Sequence, residues 1–196
     1  MATPSDVILR DTRAAQPTPS AYAAGILYYV TDEATLERWS GIAWESVEGA
    51  GAGGDPYTEG ARVYNNANIS IANASWVNLT FNTEIYDTDT IHATGSNTER
   101  LTCKTAGKYL ITGLACWATN STNDRRMAIN LNAGTQLGFI SQAPAPNIPT
   151  VQNVTSIYDL SVGNYVTLEV YQNTSAALNV LYAGVYSPQF MMHRIG

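Results

Sequence analysis

Three carboxylates and a histidine crowd one short stretch of this chain: Glu84, Asp87, Asp89 and His92. Acids at alternate positions suit two chemistries. A hard cation gathers oxygen ligands from such a loop. A glycosidase sets two carboxyls about 5–10 Å apart across a sugar cleft. The stretch lacks the glycine and the closing glutamate of a dedicated calcium loop, and a short polar loop offers no cleft by itself. Turn-forming, solvated aspartates are the plainer account. No metal or other cofactor is assigned, although three copies meeting at one axis could build a site that a single chain does not show.

Covalent catalysis finds still less. His92 and His193 are the only histidines, and no Gly-x-Ser-x-Gly elbow occurs. The chain reads as a non-enzyme with no catalytic residue. Cys103 and Cys116 are the only cysteines. A tight turn at Ala106-Gly107 predicts a hairpin that sets Cys103 opposite Leu110, so two buried thiols are expected in place of a disulfide. Arg125-Arg126 reads as a strand cap, or as a phosphate or acidic-sugar contact. Gln142-Ala-Pro-Ala-Pro-Asn-Ile-Pro149 reads as a proline-stiffened connector, or as a contact loop at an exposed end. Six Asn-x-Ser/Thr triplets occur. With no export signal at the start of the chain, none is expected to carry a glycan.

Charge narrows the classes further. Charged residues make up 13% of the 196 residues, and hydrophobic ones 45%. A core can therefore be buried, and the polar surface must come from Asn, Thr, Ser and Gln. The net charge of −6 and only two lysines, Lys104 and Lys108, argue against nucleic acid, which demands clustered cations. Residues 1–56 hold eight acids and three bases, a net of −5; residues 57–196 hold eight and seven, a net of −1. No long apolar run predicts a transmembrane segment.

The elements that carry these residues are strands. Val77, Leu79 and Phe81 alternate with Trp76, Asn78 and Thr80. Met127, Ile129 and Leu131 alternate with Ala128, Asn130 and Asn132. Val166, Leu168 and Val170 alternate with Tyr165, Thr167, Glu169 and Tyr171. Each is a strand with one core face, and turn residues break them at sandwich spacing. Two segments are apolar on both faces: Tyr109–Trp117 and Val185–Ile195. In an all-β chain, the cover for such strands is a neighbouring subunit.

Glycines at 49, 51, 53 and 54 mark a linker over 49–56. It separates an N-terminal part, 1–48, from a head, 57–196. Residues 1–20 read as extended. Gly25–Val30, Thr35–Trp39 and Ala43–Val47 read as a small β-meander, too small to be stable alone. Its aromatics, Tyr28, Tyr29, Trp39 and Trp44, either pack on one another and on the head or dock on another protein. The second is the adopted reading.

Several stretches of the head resemble the TNF-like jelly roll of tumour necrosis factor and the complement globular heads. They are Ala61-Arg-Val-Tyr64, Trp76-Val-Asn-Leu-Thr-Phe81, Tyr86-Asp-Thr-Asp89, Thr105-Ala-Gly-Lys-Tyr-Leu-Ile-Thr-Gly113, Gly163-Asn-Tyr-Val-Thr-Leu-Glu-Val-Tyr171 and Tyr186-Ser-Pro-Gln-Phe190. The resemblance covers about residues 60–196. It implies a homotrimer of ten-stranded, two-sheet subunits whose closing strand enters the trimer core. Tyr109, Ile111, Trp117, Tyr186, Phe190 and Met192 are the expected trimer-interface residues.

The version here is similar to those of bacteriophage virion proteins, and the segment Gly25-Ile-Leu-Tyr-Tyr-Val-Thr-Asp32 with Trp39 and Trp44 looks like a module of phage fibre and head-associated proteins. The implied role is a capsid-decorating knob, made in the bacterial cytoplasm and attached at the virion surface to a capsid protein through residues 1–48. The alternative is a tail receptor-binding head that holds a host glycan on aromatics such as Tyr57, Tyr64, Tyr158 and Tyr182.

Overall fold

The computed structural model describes residues 9–17, 24–47 and 57–196. The glycine-rich stretch 49–56 lies outside the described residues. The chain divides into two compact units, Met1–Pro56 and Tyr57–Gly196.

The first unit is a four-stranded sheet in the order β1-β2-β3-β4. Its strands are β1 (Leu9–Asp11), β2 (Leu27–Val30), β3 (Thr35–Trp39) and β4 (Trp44–Ser46). β2 to β4 form the expected meander. β1 adds a parallel strand, with Leu9 opposite Tyr28, where the sequence predicts only an extended arm. Tyr28, Val30 and Trp39 are buried. The Trp44 ring lies 5.6 Å from those of Tyr28 and Trp39. The chain after β1 closes over this side. Tyr28 donates its hydroxyl to the Thr12 carbonyl at 3.3 Å, Trp44 donates Nε1–H to the Pro17 carbonyl at 3.2 Å, and Arg13 pairs with the buried Glu37 at 2.8 Å.

The second unit contains twelve strand segments in two sheets. The larger sheet holds β5 (Gly60–Tyr64), β6 (Ile69–Ile71), β8 (Thr83–Asp87), β10 (Gly107–Trp117), β13 (Thr150–Leu160), β15 (Leu178–Val180) and β16 (Gln189–Arg194). The smaller holds β7 (Ser75–Asn78), β9 (Arg100–Thr102), β11 (Arg125–Leu131), β12 (Thr135–Gln142) and β14 (Tyr165–Gln172). β10 pairs with β13 along its whole length and with β16 and β15 on its other edge. β14 pairs with β11 on one edge and with both β7 and β9 on the other. Short segments laid end to end explain why twelve appear where the resemblance implied ten.

Neighbours in sequence often belong to different sheets, as a jelly roll requires. β9 and β10 are one such pair, so the turn before β10 is a crossover and no hairpin forms. Cys103 therefore does not face Leu110; its N–H donates to the Asn164 carbonyl at 2.8 Å. Both cysteines are buried free thiols all the same. The Gln142–Pro149 loop is a second crossover, from β12 to β13.

The core lies between the sheets, and alternation dictates its membership. Tyr109, Ile111, Ala115 and Trp117 of β10 point inward with Phe190 and Met192 of β16. They meet Met127 and Ile129 of β11 and Val166, Leu168 and Val170 of β14. Leu79 and Phe81 complete it, with the Phe81 and Phe190 rings 5.8 Å apart. Gly113 is required by close approach, because a methyl group there would overlap Leu168. At one end of the core, Trp117 Nε1–H donates to Gln152 Oε1 at 2.8 Å, and Gln152 Nε2 donates to the Arg125 carbonyl at 3.0 Å. Arg125 is fully buried and donates to the carbonyls of Asn120, Thr122 and Asp124. It caps the strand, and it has no surface with which to meet a phosphate.

Candidate functional site

The acidic stretch after β8 is a built turn. Asp87 accepts the N–H groups of Asp89, Ile91 and His92 at 3.2, 2.9 and 2.9 Å. His92 has a fully buried side chain, with Nδ1 2.9 Å from Glu84 Oε1 and Nε2 3.3 Å from the Thr98 carbonyl. These groups hold the loop to itself, and His92 lines a small pocket beside it with Thr90, Ser96 and Lys104. Among the described residues, no group of three or more His, Cys, Asp or Glu side chains is placed to hold a metal ion.

The outer face of the larger sheet is a stronger candidate. Leu110, Thr112 and Leu114 point away from the core on β10 and are half-buried. The register flanks Leu110 with Ile157 and His193, Thr112 with Thr155 and Met191, and Leu114 with Asn153 and Gln189. Cys116 stands opposite Val151. Val151 and Ile157 are 51% and 57% exposed. The stacked rings of Tyr64 and Tyr182, 6.4 Å apart, extend the face beyond β16. Polar groups on it are partly tied down: the Thr112 and Thr155 hydroxyls lie 2.8 Å apart, and Arg62 donates to Gln189 at 3.0 Å. Arg62 Nε and His193 Nδ1 are buried there without a hydrogen-bond partner.

This arrangement corrects the expected interface. Tyr109, Ile111, Trp117, Phe190 and Met192 have no exposed surface in the single chain. They are the core side of the same strands, so a neighbouring subunit cannot reach them. Tyr186, half-exposed in the turn before β16, is the one member of that set on the surface. Both phases of β10 are apolar, and the other phase, Leu110 and Leu114, is the one that points outward.

A similar correction applies to the first unit. Tyr28 and Trp39 are buried on the side closed by residues 12–17, with Trp44 packed against both. Of the expected docking set, only Tyr29 lies on the opposite side. Leu27 and Leu36 share that side and are half-buried, with Arg38 and Glu45 at its margin.

Burial also moves several protons. It pushes the Cys103, Cys116 and Tyr109 groups up from their ordinary values and pushes Arg125 down. Burial alone would raise Asp124, but the bond and charge of Arg126 outweigh it and hold that carboxyl below the usual range.

No protein-family model and no curated protein sequence matches the chain. Solved structures do. The crystal structure of murine APRIL at pH 5.0 superposes with a TM-score of 0.54 at 9% identity, covering 69% of this chain and 98% of that one. Its structure at pH 8.5 gives 0.52 at 6% identity, covering 70% and 100%. The fold is a TNF-like jelly roll. The globular domain of zebrafish complement 1qA is also similar, at 16% identity and a TM-score of 0.48, covering 69% of this chain and 93% of that one. At these identities the likeness is one of fold.

On this TNF-like jelly roll, one surface cluster lies where sequence reasoning did not look. Trp76 and Phe139 are 42% and 50% exposed on the outer face of the smaller sheet, beside Tyr171 and Arg126. The available signal was a tryptophan on the polar phase of an alternating strand. Of the aromatics expected to hold sugar, Tyr64 and Tyr182 stack on each other, and Tyr57 lies 4.9 Å beneath the Arg194 guanidinium. Tyr158 is exposed on β13.

Proposed function

We propose that the chain is a homotrimeric structural protein of a bacteriophage particle, a capsid-decorating knob attached through its N-terminal unit. The observation that carries the trimer is the outer face of the larger sheet, where half-buried Leu110 and Leu114 of β10 and Met191 of β16 lie beside exposed Val151 and Ile157 of β13. A strand apolar on both sides needs a second cover. In a chain whose described residues contain no α-helix, a sister copy of the same sheet supplies it. Oligomer interfaces have an apolar centre and a polar rim, and Arg62, Gln189 and Asn153 stand where that rim would begin.

The virion assignment rests on the likeness of Gly25–Trp44 to phage head and fibre modules. The Leu27, Tyr29 and Leu36 side of the first unit is compatible with it. In this role each bound trimer favours the assembled lattice by mass action. No catalytic step is assigned. Separating heads from tails on a density gradient and probing each fraction with antibody to the chain tests the assignment. The chain is expected in the head fraction. Its recovery with tails would transfer it to the alternative, a receptor-binding head, and its absence from particles would end both.

A further inference from the structure

The register of the smaller sheet sets two rows of outward side chains across four strands. One row runs Trp76, Tyr171, Arg126, Ser141; the next runs Asn78, Glu169, Ala128, Phe139. Trp76 and Phe139 stand on the two outer strands, β7 and β12, three strand spacings or about 14 Å apart. Their ring centroids are nevertheless 6.5 Å apart. Both side chains therefore lean inward across the sheet, over the small Ala128, which is left 1% exposed. Trp76 also meets Tyr171 at 5.4 Å, and the Arg126 guanidinium lies 5.0 Å over the Tyr171 ring.

These rings form an apolar island with hydrogen-bonding groups at its edge. Glu169 accepts from Asn130 Nδ2 at 2.7 Å, and Asn78 is exposed beside it. Arg126 is already paired with Asp124 at 2.5 Å. We propose that this patch binds a neutral pyranose sugar, one or two rings at a time. The inference goes beyond the structural role and does not depend on trimer formation.

Three features select that occupant. The island measures about 14 Å by two residue rises, roughly 100 Å², far below the ~800 Å² that each partner of a stable protein complex contributes. Its one guanidinium is neutralised by Asp124, and Glu169 adds a negative charge, so phosphates and acidic sugars gain nothing there. Rings rimmed by amides and a carboxylate offer an apolar surface to the C–H face of a sugar and polar partners to its hydroxyls.

The test is a titration of the full chain with neutral hexasaccharides of glucose, galactose, mannose and N-acetylglucosamine, and with oligomers of a uronic acid and of sialic acid, followed by calorimetry and tryptophan fluorescence. At least one should bind saturably, with a Kd on the order of 0.1–1 mM. Trp76→Ala and Phe139→Ala should each weaken it about tenfold or more, a loss of roughly 1.4 kcal/mol, with unchanged thermal midpoints, and Tyr158→Ala should bind as the parent does. Four results would overturn the proposal: no saturable binding to any sugar, equal binding by both ring variants, binding confined to uronic or sialic acids, or a drop in assembly mass in Trp76→Ala that would assign the patch to a second copy.

Discussion

Tyr109 and Leu110 are adjacent in sequence and face opposite ways across the larger sheet. Tyr109 is fully buried and donates its hydroxyl to the Thr105 carbonyl at 2.7 Å, whereas Leu110 stands half-buried on the outer side between Ile157 and His193. One residue carries the protomer core and the next carries the surface assigned to assembly, so the two are separable by mutation. Leu110→Asp with Leu114→Asp is expected to reduce the assembly to single chains while thermal unfolding stays cooperative. Tyr109→Ala should instead destabilise the protomer by about 3–5 kcal/mol through its cavity and lost burial. Light scattering and denaturant titration read the two outcomes.

The first unit allows the same separation. Leu36→Asp with Tyr29→Ser, on the open side, should abolish attachment to particles and leave the fluorescence of Trp39 and Trp44 unchanged. Trp39→Ala, on the closed side, should alter that fluorescence and unfold the small sheet, because it removes the buried partner of Trp44. Attachment by the open-side double variant at the parent's occupancy would exclude that side as the docking surface.

Gly113 tests the distance between the sheets. A Cβ there meets the Leu168 side chain, so Gly113→Ala should cost about 1–3 kcal/mol by overpacking. The double variant Gly113→Ala with Leu168→Ala should cost less than the sum of the two single substitutions, because the second removes the atoms that the first overlaps. A neutral single variant would mean that the sheets lie further apart at this point.

Alkaline pH tests the buried thiols and phenol. Burial raises the proton affinity of Cys103, Cys116 and Tyr109 in the folded state. Between the ordinary value and the raised one, the folded chain binds more protons than the unfolded chain. Stability is therefore intact below the ordinary thiol value of 9.0 and falls as pH rises above it. Cys103→Ala with Cys116→Ala should flatten the fall in unfolding midpoint above that pH. An unchanged slope would show that the thiols are hydrated.

Much of the head was legible in its alternation. Val166, Leu168 and Val170 face the core because every second residue of that strand is apolar and the intervening ones are not. The same pattern could not choose a side for Tyr109–Trp117, where both phases are apolar; which phase faces the other sheet depends on partners far away in sequence. The turn before β10 was visible, but a local turn does not reveal whether the chain pairs back or crosses to another sheet. Tyr186 and Phe190 looked like one strand, yet strand pairing begins only at Gln189. The Trp76 cluster was hidden for a related reason. Trp76, Tyr171 and Phe139 come from three strands, and only the register brings their rings together.

Assembly through the outer face of the larger sheet underlies the proposed role. Sedimentation equilibrium of the full chain at low micromolar concentration measures it directly. Three times the 21.1 kDa of one chain is the predicted mass, falling to the single-chain value in Leu110→Asp with Leu114→Asp. A stable single-chain mass for the unaltered protein, or a trimer that the double substitution leaves intact, would contradict it.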